Sequence, residues 1–208
     1  MSYSHGFNTP VSIPDANLRA EIEDALDKSS GETITREDMS NLISVSAGSA
    51  NISDLTGLAF ATNLLSLYLY NNTISDVSAL SGLTNLTSLT LRRNSITDIS
   101  PLSGLINLSL LRLEENSISD VSALSGLTSL ERLRLQNNTI SDISALSGLT
   151  NLTGLTLYRN RISDLSPLVA NTGLGSGDEV DVRDNPLSAT SIDTHIPALQ
   201  GRGVTVRF

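Results

Sequence analysis

The chain contains no cysteine and no tryptophan, and only one lysine and two histidines. Without cysteine it has no disulfide, no thiol nucleophile and no cysteine-ligated zinc site. The net charge of −9 argues against nucleic-acid binding, which needs a basic surface. No stretch approaches the roughly 18 uninterrupted apolar residues that mark a membrane span. These absences argue against a disulfide-bonded, zinc-cysteine, nucleic-acid-binding or membrane-spanning protein. They leave a chain built mainly from leucine, serine and small polar residues.

One pattern recurs every 22 residues between Leu64 and Leu168, namely L-x-x-L-x-L-x-x-N-x-I-x-x-[IVL]-x-x-L. A fixed period of this length marks a solenoid. In each copy the L-x-L fragment predicts a short strand whose two leucines point to one face. One fragment cannot bury its apolar face alone, so neighbouring copies must stack into a parallel sheet over a shared leucine core. We therefore predict an elongated α/β solenoid.

Each copy has one inward polar position, and asparagine occupies it. An amide side chain there can bond backbone groups of adjacent coils that would otherwise be buried unpaired. We predict a structural ladder without a catalytic role, made of Asn72, Asn94, Asn116, Asn138, Asn160 and Asn185.

An aspartate recurs on the predicted convex side of every copy. A metal array is one interpretation, and capping of free turn amides is the other. Capping is favoured because each coil supplies one carboxylate without a second nearby. The column comprises Asp54, Asp76, Asp98, Asp120, Asp142 and Asp164.

The two ends differ from the repeats and predict caps. Asp15 is placed to cap a first helix, and Thr35 with Asp38 forms a capping-box pattern for a second. The 188–200 segment predicts a helix, and 204–208 a closing strand. We divide the chain into a disordered leader or tag (1–10), a helical N-terminal cap (11–41), about seven coils with degenerate first and last copies (42–187) and a C-terminal cap (188–208).

The repeat and the N-terminal cap together resemble a known family. I-P-D-x-N-L, I-T-x-E-D-M and I-S-D-L-T-G-L, followed by the 22-residue repeats, are similar to internalin-type bacterial surface leucine-rich repeat (LRR) proteins. The resemblance implies a right-handed horseshoe with a concave parallel sheet, short 3₁₀ turns on the convex side, a helical N-terminal cap and a helix–strand C-terminal cap. It also implies a secreted or cell-surface location. The resemblance covers about residues 11–174, and beyond it we expect a departure from internalins.

The outward strand positions line the predicted concave face and vary most between copies. Three of the four tyrosines and six of the twelve arginines fall there. Tyrosine and arginine are enriched at interface hot spots. The candidate ligand-binding residues are Tyr68, Tyr70, Arg92, Arg93, Leu110, Arg112, Glu114, Arg132, Arg134, Tyr158 and Arg159.

The charges on this face suggest how it works. Arg92–Glu114 and Arg93–Glu115 are predicted cross-strand pairs. Arg112 and Arg134 are predicted to repel each other, so an anionic partner would stabilise them. The alternative is a solvated face that only keeps the protein soluble.

These features predict a non-catalytic protein- or peptide-binding module whose partner presents carboxylates. We expect a monomer that needs no cofactor and no metal. A carbohydrate-binding surface module and a structural or engineered LRR scaffold without a ligand remain alternatives. An enzyme is least favoured, because His5 lies in the leader, His195 lies in the terminal helix, and no nucleophile is poised by spacing.

Overall fold

The computed structural model describes residues 8–208, so residues 1–7 of the expected leader lie outside it. Eight three-residue strands form a single parallel sheet in chain order. The strands are Ser44–Ser46 (β1), Ser66–Tyr68 (β2), Ser88–Thr90 (β3), Leu110–Arg112 (β4), Arg132–Arg134 (β5), Gly154–Thr156 (β6), Glu179–Asp181 (β7) and Thr205–Arg207 (β8).

Short helical turns return the chain across the opposite side of each coil. They are 3₁₀ turns in five coils, at Leu58–Phe60, Ser78–Leu80, Ser100–Gly104, Ser122–Leu124 and Ser144–Gly148. A single turn of α-helix replaces them in the next coil, at Ser166–Ala170 (α3). The sheet stays open, with sequential strands and short convex turns, as an LRR horseshoe requires. The predicted fold is confirmed.

The strand register follows the 22-residue period. Val45 pairs with Leu67, Leu67 with Leu89, and so on to Leu155. The central residue of each of these strands is 0–1% exposed, so the leucines form one continuous column inside the solenoid. Each buried leucine contributes roughly 1.5–3 kcal/mol, and the stacked coils supply that burial to one another.

The N-terminal end of the sheet is sealed by the helices Ala16–Ala25 (α1) and Arg36–Asn41 (α2). The carboxylate of Asp15 caps α1 and also accepts the backbone N–H of Ser53, 2.8 Å away, which ties the cap to the first coil. Burial opposes ionisation of Asp15, but the backbone N–H donors from Ser53, Leu18 and neighbouring residues outweigh it and lower its pKa. The capping box of Thr35 and Asp38 is present as predicted. Pro10 pairs with Thr35, so ordered pairing begins before residue 11.

The C-terminal end breaks the period. The partner of Leu155 is Val180, three residues later than the 22-residue step. The predicted helix at 188–200 is formed by a π-helical turn, Ser191–His195, that leads directly into Ile196–Gly201 (α4). Strand β8 then closes the sheet beside β7.

Candidate functional site

The inward asparagines form the predicted ladder between coils. Asn138 is typical: its Nδ2 donates to the carbonyls of Leu113 and Leu135 at 3.1 and 3.0 Å, and its Oδ1 accepts the N–H of Ile118 at 3.0 Å. The same three bonds recur at Asn94, Asn116, Asn160 and Asn185, and Asn72 makes corresponding bonds to the first coil. Each amide therefore links its own coil to the preceding one and is fully engaged in structure.

A second asparagine ladder lies before the strands and was not predicted. Asn85, Asn107 and Asn151 each donate Nδ2 to a threonine carbonyl of the preceding coil at 2.8–2.9 Å. Asn63 does the same toward Ser40 at 2.8 Å. The signal was available in the recurring N-L dipeptide at the start of each copy, which Ser129 interrupts once.

The convex aspartates cap turns. In every coil from Asp54 to Asp164 the carboxylate accepts the backbone N–H of the residue two positions later at 2.8 Å. Hydrogen bonds from Ser78 lower the pKa of Asp76, and bonds from Ser122 do the same for Asp120. The capping interpretation is confirmed. Within residues 8–208, no three His, Cys, Asp or Glu side chains are grouped to hold a metal ion.

The outward strand residues lie side by side, as the register requires. Tyr68, Thr90, Arg112 and Arg134 are successive Cα partners. The structure thus brings the candidate residues of β2 to β6 onto one face. The residue that follows each of these strands by three positions is left-handed, with φ of 54–59° at Asn71, Arg93, Glu115, Asn137 and Arg159. Arginine and glutamate are not favoured there, and the 22-residue pattern does not predict this conformation.

The tyrosines differ in how free they are. The ring of Tyr70 lies directly over Gly48, where a β-carbon would come within 2.3 Å of its Cζ, and the side chain is still 43% exposed. Glycine at 48 is therefore what lets the ring lie flat against the first coil. The Tyr158 ring is covered by the guanidinium of Arg183 at 5.6 Å.

Charged residues of the central coils neutralise one another. Glu115 accepts from Arg93 at 2.7 Å and from Arg92 at 3.2 Å, and these bonds, led by that from Arg93, lower its pKa against the opposing effect of partial burial. The predicted Arg93–Glu115 pair is present. Arg92 lies closer to Glu115 than to Glu114, which is 3.9 Å away.

Arg112, which an anionic partner is expected to stabilise, already has an anion within its own coil. Its Nε and Nη2 donate to Oε1 of Glu114 at 2.9 and 2.5 Å. Arg112 ends β4 and Glu114 follows it by two positions, so the two side chains meet within one coil, without a neighbouring strand. Glu114 is only 1% exposed and lies under Arg112, where it holds the guanidinium rather than offering a surface.

The coils of β5 to β7 surround a shallow depression that Gly154 helps to line. Its volume is about 470 Å³. The side chains that line it, apart from the β6 floor, include Arg132, Arg134, Glu179, Asp181 and Arg207. Asp181 is already bonded to Arg183 at 2.6 Å, whereas Arg132 and Arg134 form no ion pair within residues 8–208.

Ser191, His195 and Asp164 lie together near α4 without the geometry of a catalytic triad. The Ser191 Oγ and an Asp164 carboxylate oxygen both approach the same His195 nitrogen, Nδ1, at 3.4 and 3.5 Å. A triad requires them on opposite ring nitrogens. The Ser191 side chain is fully buried and donates to the Ser163 carbonyl at 2.8 Å. The group therefore anchors the C-terminal cap to the last coil.

The sequence matches the "Leucine Rich repeats (2 copies)" family over residues 62–104 and 128–170, and the "Leucine rich repeat" family over residues 84–140. No curated protein gives a significant match. The fold and the two matches define a leucine-rich repeat protein.

Solved structures narrow the class. Internalin C2 of Listeria monocytogenes is 32% identical, with 99% of this chain and 100% of that one covered and a TM-score of 0.70. The Listeria monocytogenes internalin F is 31% identical with a TM-score of 0.87, and the match covers 98% of this chain but 59% of that one. A Leptospira interrogans LRR protein, 21% identical over 85% of this chain and 52% of its own, shares the fold with a TM-score of 0.66. The chain belongs to the internalin-like leucine-rich repeat family.

The coverage corrects one expectation. We expected the chain to depart from internalins beyond about residue 174, but both alignments extend over 98–99% of it and include the C-terminal cap. Such folds serve typically as non-catalytic scaffolds and are consistent with protein interaction. The longest helix described, α1, has ten residues, and nothing in residues 8–208 combines the length and apolarity of a bilayer-crossing helix.

Proposed function

We propose that this chain is a non-catalytic module that binds a protein or peptide through its concave face, in a secreted or cell-surface setting. One observation carries the proposal: the outward side chains that vary between copies gather on one face. That face combines aromatic rings with arginines, the types that dominate interface energetics.

Tyr70 is the strongest anchor on this face. Its ring is already packed on Gly48 while 43% of the residue remains exposed. A ring that is fixed before binding loses little rotamer freedom when a partner covers it. Tyr68 lies on the same strand face and is half-buried, which extends the apolar patch toward β3.

The partner we propose is acidic in part. Arg92, Arg93 and Arg112 are paired with Glu114 or Glu115, but Arg132 and Arg134 are not paired within the described chain. A partner that presents carboxylates would meet these two cations. Their position places the charged contact toward β5 and the aromatic contact at β2.

Selection of a random displayed peptide library against the wild-type chain tests the proposal. Enriched peptides should bind Tyr70→Ala at least about tenfold more weakly, because truncation removes a hot-spot ring. The matched control is Ile106→Ala, which truncates an apolar side chain, 55% exposed, in the loop between the turn Ser100–Gly104 and β4. Peptides that bind Tyr70→Ala as they bind the wild type would contradict the proposal. A glycan array that yields ligands where the peptide library yields none would replace it with carbohydrate binding.

A further inference from the structure

Two neighbouring strands of the concave face each carry an arginine at the same position, but only one of the two is paired with a carboxylate. Arg112 on β4 and Arg134 on β5 are Cα partners in the sheet. Arg112 is held by the buried carboxylate of Glu114, two residues later. Two residues after Arg134 the chain has Gln136 instead. Only the first arginine therefore has an anion built into its own coil.

Gln136 does not replace that anion. It is 8% exposed, and its Oε1 is buried without a hydrogen-bond partner. An amide oxygen carries no net charge, so it attracts a guanidinium less strongly than a carboxylate does. Arg134 and its strand neighbour Arg132 both remain exposed, with no carboxylate oxygen within 4.0 Å in the described part of the chain.

The space beside these arginines is open because β6 begins with glycine. Gly154 pairs with Arg132 on one side and with Glu179 on the other. A β-carbon at Gly154 would meet only the Cγ of Arg132, at 3.8 Å, and the backbone there is not in the left-handed region. The fold does not require glycine at this position. Its effect is to leave a gap one side chain wide on β6, between the side chains of β5 and β7. Neighbouring strands lie about 4.8 Å apart.

We infer that this depression is an anion subsite, in which a glutamate or aspartate of the partner pairs with Arg134, much as Glu114 pairs with Arg112 within its own coil. The inference rests on the concave-face binding proposed above and names its charged contact. Arg132 and Arg134 form the cationic wall, and Gly154 leaves room for the incoming side chain. Glu179 on the opposite wall repels the carboxylate toward the arginines.

The test uses an extended peptide of alternating glycine and glutamate, with an otherwise identical glycine–glutamine peptide as the neutral probe. NMR titration follows the Gly154 amide and the arginine Nε–H signals. The glutamate peptide should shift the signals of Gly154, Arg132 and Arg134 with saturation, and bind at least about tenfold more tightly than the glutamine peptide.

Two variants remove the subsite by different means. Gln136→Glu supplies the missing internal carboxylate and should compete with the peptide for Arg134. Gly154→Leu fills the gap with the side chain that β4 carries at the same position, Leu110. Each should weaken the glutamate peptide about tenfold. Gly126→Leu is the control, because a β-carbon there meets nothing within 4 Å and the residue lies outside the sheet.

Equal binding of the two peptides, or wild-type affinity in both variants, would overturn the subsite. So would inorganic phosphate shifting these signals while the glutamate peptide does not. Failure of the subsite and failure of the proposed function are distinguishable. Selected peptides that depend on Tyr70 but ignore Gln136→Glu and Gly154→Leu would leave concave-face binding intact and reject the subsite alone.

Discussion

The coils of β3–β4 and those of β5–β6 share the same backbone arrangement and the same apolar interior. They differ in how the charged residues of the concave face are paired. In the first pair Arg92, Arg93 and Arg112 are bonded to Glu114 and Glu115. In the second, Arg132 and Arg134 stand beside a glycine gap and have no carboxylate partner within residues 8–208. A few outward residues make the whole difference. In this solenoid the buried leucines and asparagines hold the coils together, and a separate set of outward residues determines the surface.

The largest loss of stability should come from removing an asparagine of the ladder, which both regions share. Asn116→Ala and Asn138→Ala each leave two carbonyls and one N–H without their amide partner. We expect each to lower the free energy of unfolding by about 3 kcal/mol, since a buried unsatisfied polar group costs roughly 1–3 kcal/mol. Urea denaturation measures both. If one costs several times more than the other, the interior is not equivalent in the two regions, and the comparison fails.

A smaller loss of stability should distinguish the β3–β4 coils from the β5–β6 coils. Glu114→Ala removes two charge-assisted bonds to Arg112, and we expect a loss of about 2 kcal/mol. The equivalent truncation, Gln136→Ala, removes a side chain whose buried oxygen bonds nothing, so its cost should stay below about 1 kcal/mol. The same denaturation experiment decides. Equal losses would mean that the carboxylate under Arg112 adds no stability.

The smallest effect should appear in the acid dependence of stability. The bond from Arg93, followed by that from Arg92, lowers the folded-state pKa of Glu115. A lowered pKa stabilises the fold above the unfolded-state value, near pH 4.3, and this contribution is lost as the pH falls through the folded-state value. The stability gap between wild type and Glu115→Gln should therefore shrink as the pH is lowered from about 6 to below 4.

The matched variant for that titration is Arg134→Gln in the open region. Its guanidinium has no carboxylate partner among the described residues, so removing it should leave the acid dependence of stability as in the wild type. The opposite result would contradict the assignment of Glu115 as paired and Arg134 as unpaired. That result is a stability difference from the wild type that shrinks with acid for Arg134→Gln and stays constant for Glu115→Gln.

Most of the fold was predictable because the same packing recurs in every 22-residue repeat. The leucines of L-x-L, the ladder from Asn72 to Asn185 and the capping box at Thr35 follow from the 22-residue period and from local rules. Irregular features were harder to predict. The π-helical turn at Ser191–His195 arises where the period is lost, so no neighbouring copy predicts it.

The candidate face was predictable as a set of positions but not as a set of contacts. The alternation of strand residues placed Tyr68, Arg112 and Arg134 together, as the sheet register shows. The bond of Arg112 to Glu114 lies within one coil, whereas the spacing of the repeat predicts only cross-strand pairs. Gly154 gave no signal alone, because a gap is defined by the side chains around it.

The ladder amides also have a direction. Each donates to, and accepts from, the coil that precedes its own. During synthesis the amino end emerges first, so every new unit meets a template whose carbonyls and N–H groups are already in position. We expect the solenoid to lengthen by addition at its carboxyl end, and whole 22-residue units to be inserted or deleted between ladder positions while the remaining coils keep their shape.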